Sequence, residues 1–285
     1  VVISPLEHNC VVRPLHKQRA NISVLPLKKD GSADVGALAK FIRMDTKLVI
    51  INHASNVSGV VNDIESAARI CNQRRVPLLI DAAQTMGVLP IHALHLKAMV
   101  AFPGHKSLLS PQGTGGLYIP PHIKPDYIFS GGTGSQSESY YQPDTMPDRY
   151  ESGTLNAPGI VGLLEGVKYI KLIGIEEIYG HEMQLTKQLI EGLSVIPKVK
   201  ILCPGAEKRV STVSIVIDGM DCNEVAMRLD EEYDVAVRSG MHCAPMAHKA
   251  YGTVQSGTTR LSIGYFNTAF DIERALTAIS EIARG

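Results

Sequence analysis

Apolar residues in this chain come in short unbroken runs separated by stretches of helical period. Residues 1–3, 47–51, 76–80 and 98–102 are β-branched or aliphatic runs that predict buried strands, and residues 116–119 predict a further one. Between two of these runs, residues 63–74 place Ile64, Ala67, Ala68 and Cys71 on one face, and Asp63 opens that predicted helix as a cap or first-turn acid. Strands apolar on both faces and alternating with helices predict an α/β fold with a largely parallel sheet.

The pattern changes after residue 128. Residues 129–156 are rich in Gly, Ser, Thr and Pro and predict a long irregular segment of the functional kind. Helices are expected over 158–171 and 176–193. The last third reads as a smaller α+β unit, with strands at 213–217, 235–237 and 259–263 and helices at 223–231 and 270–283. The alternation in 213–217 predicts one buried face. The expected division is a large unit, 1–170, and a small C-terminal unit, 171–285.

Composition narrows the function. The chain has 285 residues, 45% of them hydrophobic and 20% charged, enough for a sizeable core without staples. Twenty-eight basic residues balance 28 acidic ones, so no basic excess points to nucleic acid or a membrane surface, and a small substrate is expected. Five cysteines without a CxxC pair argue against a disulfide framework and for a reducing compartment, the cytoplasm. No apolar run is long enough to span a membrane. The chain opens inside a strand-like run with no Met before it, so a preceding segment of the protein is expected.

Two polar residues stand just past the ends of strand-like runs: Asp81 in Asp81-Ala82-Ala83-Gln84, and Lys106 in Phe102-Pro103-Gly104-His105-Lys106. Ligands of open parallel sheets bind at those ends. A pyridoxal-phosphate (PLP) enzyme needs a lysine to form a Schiff base and commonly a carboxylate against the ring nitrogen. Alone, Asp81 reads as a helix cap and Lys106 as a surface charge. The Gly-rich run 111–116 beside them does not make a P-loop, since GxxxxGK[ST] is absent.

Several segments in order raise this pair above that bland reading. Glu7-His8-Asn9, His53-Ala54-Ser55-Asn56, Asp81 with Gln84, and His105-Lys106 together resemble the class V aminotransferase superfamily, and within it the cysteine desulfurases and selenocysteine lyases. The resemblance implies a PLP fold type I large domain with a mostly parallel central sheet plus a smaller C-terminal domain. It also implies roles: His8 on the cofactor ring, Asn56 against the cofactor, Asp81 on the pyridine nitrogen and Gln84 on the ring hydroxyl. His105 falls on the phosphate and Lys106 on the covalent attachment. Pro103 stands where many relatives have a phosphate-binding serine. The family's Gly-Thr-rich phosphate loop precedes the Glu-His segment and is not among these residues.

Arg238-Ser239-Gly240-Met241-His242-Cys243-Ala244 is similar to the short loop that presents the nucleophilic cysteine in these desulfurases, with Met241 in place of a histidine. The reactive form of such a cysteine is the thiolate, which a nearby cation favours. The other four cysteines, Cys10, Cys71, Cys203 and Cys222, are read as buried and inert. A metal site of His242, Cys243 and His248 lacks paired spacing and a fourth ligand. Arg260 resembles the arginine that clamps the substrate carboxylate, a task suited to its planar fork. Gly131–Gly134 and Glu151-Ser152-Gly153-Thr154 look like the segments that reach a neighbouring subunit, with Thr154 on the partner's cofactor phosphate. A homodimer is the implied assembly.

The resulting expectation is a PLP-dependent cysteine desulfurase. It would convert L-cysteine to L-alanine, carry sulfur as a persulfide on Cys243 and pass it to an acceptor protein. A selenocysteine lyase acting on L-selenocysteine, a class V aminotransferase and a non-catalytic fold relative that binds a protein partner are the alternatives.

Overall fold

The computed structural model describes residues 1–284. Its first sheet has six strands: β1 (Val2–Ile3), β2 (Ser23–Val24), β3 (Val49–Asn52), β4 (Leu78–Asp81), β5 (Met99–Pro103) and β6 (Gly115–Tyr118), in the order β2-β1-β3-β4-β5-β6. All pairs are parallel except β5 with β6. All four residues of β3 are buried, as a parallel strand covered on both faces requires.

Helices α1 (Asn9–Lys17), α2 (Leu38–Phe41), α3 (Ile64–Arg74) and α4 (Ala93–Leu96) alternate with these strands. The Asp63 side chain accepts the Ser66 N–H at 2.9 Å and caps α3, which then buries Ile64, Ala67, Ala68 and Cys71 against Val49, Ile51, Leu78 and Ile80. Truncating a fully buried side chain of that cluster, Ile51→Ala, costs about 2–5 kcal/mol. Helix α1 escapes sequence reading because Pro14 lies inside it.

The second sheet is antiparallel, with β7 (Val199–Ile201), β8 (Thr212–Ile217), β9 (Arg238–Gly240) and β10 (Thr258–Ser262) in the order β7-β8-β10-β9. Helices α5 (Ala157–Ile173), α6 (Ile175–Ser194), α7 (Cys222–Tyr233), α8 (Pro245–Tyr251) and α9 (Ala269–Arg284) complete the described residues. Helix α5 runs through residue 170, and Gly174 ends it. Residues 119–156 carry neither strand nor helix.

Two expectations need correction. Strand β8 is buried on both faces rather than one. Val213, Ile215 and Ile217 enter the core under α6 and α9, while Ser214 faces the loop after β3 and donates to the Val57 carbonyl at 2.5 Å. The strand expected at 235–237 is formed three residues later, as β9. Asp234 ends α7 in the left-handed region, and Val235 and Val237 pack against the core before pairing with β10 begins at Arg238.

Candidate active site

Parallel pairing sets the floor of the site. Asn52 lies opposite Asp81, and Asp81 opposite Ala101, so β3 and β4 end at one level and β5 runs two residues further, to Pro103. The His53 N–H donates to the Asp81 carbonyl at 2.8 Å and continues that register into the loop. Past β5 the chain turns at Gly104, whose N–H donates to the Thr114 carbonyl at 2.9 Å and whose carbonyl accepts from Ser110 at 3.0 Å. A Cβ at this position would collide with the Thr114 side chain. The close turn therefore needs glycine, and it delivers His105 and Lys106 to the same edge.

A cavity of about 960 Å³ opens there. Its wall contains seven of the residues singled out in the sequence: His8, Asn56, Asp81, Gln84, His105, Lys106 and Arg260. Pro103 also lines it, and so do Cys10 and Arg238. Chain separations of up to 252 positions are closed here by the two sheets meeting.

The Asp81 carboxylate is held by one oxygen. Oδ1 accepts the Ala83 N–H at 2.9 Å, whereas Oδ2 has only the weak thiol donor of Cys10, at 3.9 Å. The second oxygen is left to a donor brought by a ligand. Lys106 faces the cavity, and crowding by the surrounding atoms is the chief reason its amine is held below the usual lysine range. Asp81 pushes it back up, while Arg260 and Arg238 push it further down. His8 is likewise lowered, first by burial and then by Lys106, which favours its neutral ring at the cavity wall. Its Nδ1 accepts the Cys10 N–H at 3.1 Å and caps α1, which fixes the ring's tautomer and direction.

A second chain of contacts ties the small sheet to this floor. Arg260 Nη1 donates to the Asn56 carbonyl at 3.0 Å, and Asn56 Nδ2 donates to the His242 carbonyl at 2.7 Å. Arg260 Nε is buried without a partner among the described residues, which leaves donor capacity for an anion. His242 is buried, its Nε2 paired with Thr258 Oγ1 at 2.7 Å, and burial pushes its imidazole down to about 3. The next residue, Cys243, is exposed. Both have left-handed backbones, with φ of 49° and 55°, a conformation that costs roughly 1–2 kcal/mol per residue. The hydrogen bonds of Asn56 and Thr258 to His242 hold that strained loop. Arg238 Nη2 lies 3.3 Å from Cys243 Sγ, so a sulfur anion formed there meets a fixed positive charge.

Not every expected residue converges. Cys243 sits outside the cavity wall, joined to it through Arg238, and Thr154 lies exposed in the irregular segment away from it. Cys10, read from the sequence as buried and inert, is exposed in the cavity beside Asp81. It stands two positions after His8, in the first turn of a helix that Pro14 masked. Its thiol is pushed up to about 11, chiefly by crowding from the cavity wall and then by the Asp81 charge. Among the described residues no group of three or more His, Cys, Asp or Glu is placed to hold a metal ion. No helix there is long and apolar enough to cross a membrane.

Comparison with known proteins gives a consistent picture. The family model described as Aminotransferase class-V matches residues 1–275. A probable cysteine desulfurase of Methanothermobacter thermautotrophicus is 33% identical over 99% of this chain and 73% of its own length. The cysteine desulfurase of Salmonella agona is 29% identical over 100% of this chain and 71% of its own. Among solved structures, the apo cysteine desulfurase of Thermococcus onnurineus is 29% identical. It superposes with a TM-score of 0.86 over 100% of this chain and 72% of its own. A cysteine desulfurase of Escherichia coli shares the fold at a TM-score of 0.90 with 23% identity, over 99% of this chain and 71% of its own.

Proposed function

The chain belongs to the class-V aminotransferase family, and from that membership we propose that it is a PLP-dependent cysteine desulfurase, releasing L-alanine from L-cysteine and keeping the sulfur on Cys243. The observation that carries this reading is the convergence of Asp81, Lys106, His8 and Arg260 on one cavity, with an Arg238-paired thiol at its rim.

The residues present fit the cofactor. Asp81 Oδ2 lacks a strong donor, and a pyridinium N–H is such a donor. His8 offers a neutral ring for the cofactor's face, Gln84 and Asn56 offer amides for its polar edge, and His105 lies next to Lys106 for the phosphate. Bound there, PLP would supply an electron sink for the bonds at the substrate Cα. The lowered Lys106 amine suits both covalent attachment and removal of the Cα proton as a general base. Arg260 would bind the substrate carboxylate through its remaining donors.

The chemistry balances without an added oxidant. The Cys243 sulfur forms an S–S bond to the substrate sulfur, the C–S bond breaks, and its electron pair stays on Cβ, which takes a proton to give alanine. The sulfur ends on an exposed residue, where an acceptor protein can reach it.

A homodimer is part of the same proposal. Ile128 is 89% exposed, Phe129 76% and Tyr141 85%, all in the irregular segment that also carries Thr154. Such an apolar surface is suited to a second copy, and there Thr154 would reach the partner's cofactor phosphate. Sedimentation of the purified protein as a monomer with PLP bound would exclude that contact. The five free cysteines fit a cytoplasmic location.

The test is direct. Purified protein mixed with PLP and an added reducing thiol is expected to gain a visible absorbance band and to form alanine and sulfide from L-cysteine in equal amounts, the thiol being oxidised to its disulfide as it reduces the Cys243 persulfide. Alanine formation from L-selenocysteine alone would make it a lyase of that substrate instead.

A further inference from the structure

Beneath the strand ends lies a polar cluster shut off from solvent: Ser4, Glu7, Asn52 and Asn62, none more than 4% exposed. Its hydrogen bonds can be counted proton by proton. Asn62 has a settled orientation, because its Oδ1 accepts the Ala33 N–H at 2.8 Å and its Nδ2 donates to the Asn52 carbonyl at 2.7 Å. The same Nδ2 is 3.2 Å from the Asn52 side chain, which must therefore present Oδ1. The flipped amide would set two N–H groups against each other.

Asn52 Oδ1 is also 2.5 Å from Ser4 Oγ. An amide oxygen cannot donate, so the single Ser4 proton goes to Asn52. Ser4 Oγ is in turn 2.7 Å from Glu7 Oε1. With the serine proton already used, the proton in that contact has to come from Glu7. The serine hydroxyl is then complete. It donates to Asn52 and accepts from Glu7 and from the Leu6 N–H at 3.2 Å. Glu7 Oε1 also accepts the Asn52 N–H at 2.8 Å. Glu7 Oε2 is buried with no partner among the described residues, which costs far less for the carbonyl of a neutral acid than for an anion.

We propose that Glu7 is a neutral carboxylic acid in the working protein, a positioning residue that ties the Asn52 end of β3 into register with Asp81 without setting a second negative charge behind it. The proposal rests on Asp81 facing the cofactor's ring nitrogen. A charge on Glu7 would act on that same carboxylate from below, and Cys10 is the other titratable group turned toward Glu7. Burial raises the Glu7 carboxyl to about 8; hydrogen bonds from Ser4 and Asn52 oppose the rise, and Asp81 adds to it. Because Ser4 is committed to Asn52, its opposition is absent and the neutral form is favoured further.

The test begins with infrared spectra of the whole cofactor-free protein carrying carboxyl-labelled glutamate. A protonated-carboxyl band is expected near neutral pH, absent from Glu7→Gln, and lost with a midpoint of about 8 or above. In Ser4→Ala the neutral acid loses its acceptor and the midpoint falls. If Ser4 instead donated to an ionised Glu7, the midpoint would rise, and that result, or the lack of a band in the wild type, overturns the proposal. Glu182 is also buried with its carboxyl raised, so Glu182→Gln serves as the second variant: it is expected to keep the band with the midpoint assigned to Glu7, and loss of that band in Glu182→Gln overturns the proposal. In the PLP-loaded protein the visible absorbance is expected to step at the same midpoint, and not to do so in Glu7→Gln. A titrating band with no such step removes the positioning role. Failure to take up PLP at all would strike the desulfurase reading, while the infrared result still stands for Glu7.

Discussion

The backbone N–H of Asn9 donates to the carbonyl of Cys243 at 2.8 Å. The first turn of α1 and the loop that presents the Cys243 thiol are thus one mechanical unit, and the residue preceding Asn9 is the cavity's His8. Main-chain atoms make this contact, so it survives side-chain substitution at Cys243. Cys243→Ser is therefore expected to keep the fold and to take up PLP with unchanged absorbance. With a reducing thiol present to liberate persulfide sulfur, it should lose sulfide release from L-cysteine down to background. Intact mass after incubation with L-cysteine should show one added sulfur atom on the wild type and none on the variant. Normal turnover by the serine variant would exclude Cys243 as the carrier.

Lys106 carries two of the proposed roles, attachment and proton removal. Lys106→Ala should abolish the covalently held cofactor, seen as loss of PLP after reduction with borohydride and denaturation. It should also cut kcat by about 10²–10⁴, the range for a positioned acid–base group. The amine acts as a base only when neutral. Because burial lowers it, the rising limb of kcat with pH should have its midpoint below the usual lysine value of 10.5. A reduced, denatured Lys106→Ala protein that retains PLP would show that another lysine holds the cofactor.

Arg260 is expected to act on binding more than on turnover. Its Nη1 already holds Asn56 in place, and its remaining donors suit a carboxylate. Replacing a charged hydrogen bond costs about 1.5–3 kcal/mol, so Arg260→Lys should raise KM for L-cysteine roughly 10- to 150-fold with a smaller change in kcat. Unchanged KM would remove Arg260 from the substrate site.

Much of this site was legible before any coordinates. Asp81 and Lys106 each follow a short apolar run, and parallel strands bring residues in that position to one edge regardless of what lies between them. The contact of Arg238 with the Cys243 sulfur was not legible, although both residues stand in one quoted segment. It depends on the left-handed turn at His242 and Cys243, which non-glycine residues rarely adopt. Ser214 misled for another reason: an alternating pattern ordinarily marks a solvent face, yet here the polar positions are buried and satisfied by the Val57 carbonyl. Cys10 was misjudged because composition says that free cysteines are buried, and only the placement of α1 against β4 turns this one into the cavity.

Acid should destabilise the protein through two buried histidines. Burial pushes His53 down to about 4 and His242 to about 3, from an ordinary 6.5. The folded state therefore holds both rings neutral where the unfolded chain would protonate them. Their contribution is complete above about 6.5 and is lost progressively as pH falls toward 4 and then 3. Each ring costs on the order of 1 kcal/mol of stability per pH unit across its window. The raised Glu7 carboxyl acts with the opposite sign between about 8 and 4.5, so the His53 contribution is read as a difference: urea midpoints measured between neutral and mildly acidic pH should fall less steeply in His53→Gln than in the wild type. Parallel profiles would mean that the His53 ring accepts a proton in place.

Cys10 tests whether exposure or electrostatics governs reactivity in the cavity. The side chain is open to solvent, but crowding by the cavity wall and the nearby Asp81 charge push the thiol up to about 11. The thiolate is the reactive form, so at mildly alkaline pH only a fraction on the order of 10⁻³ of Cys10 is available to an alkylating reagent. Peptide mapping after brief iodoacetamide treatment should therefore find Cys10 largely unmodified. Cys10→Ala should leave desulfuration within a few-fold of wild type, since the donor it removes from Asp81 is a weak one at 3.9 Å. Asp81→Asn in the wild-type background should raise the rate of Cys10 labelling, because it removes the carboxylate charge that helps keep the proton on sulfur. Rapid labelling of Cys10 in the unmutated protein would show that its sulfur is already charged, and would make it a second nucleophile beside the cofactor.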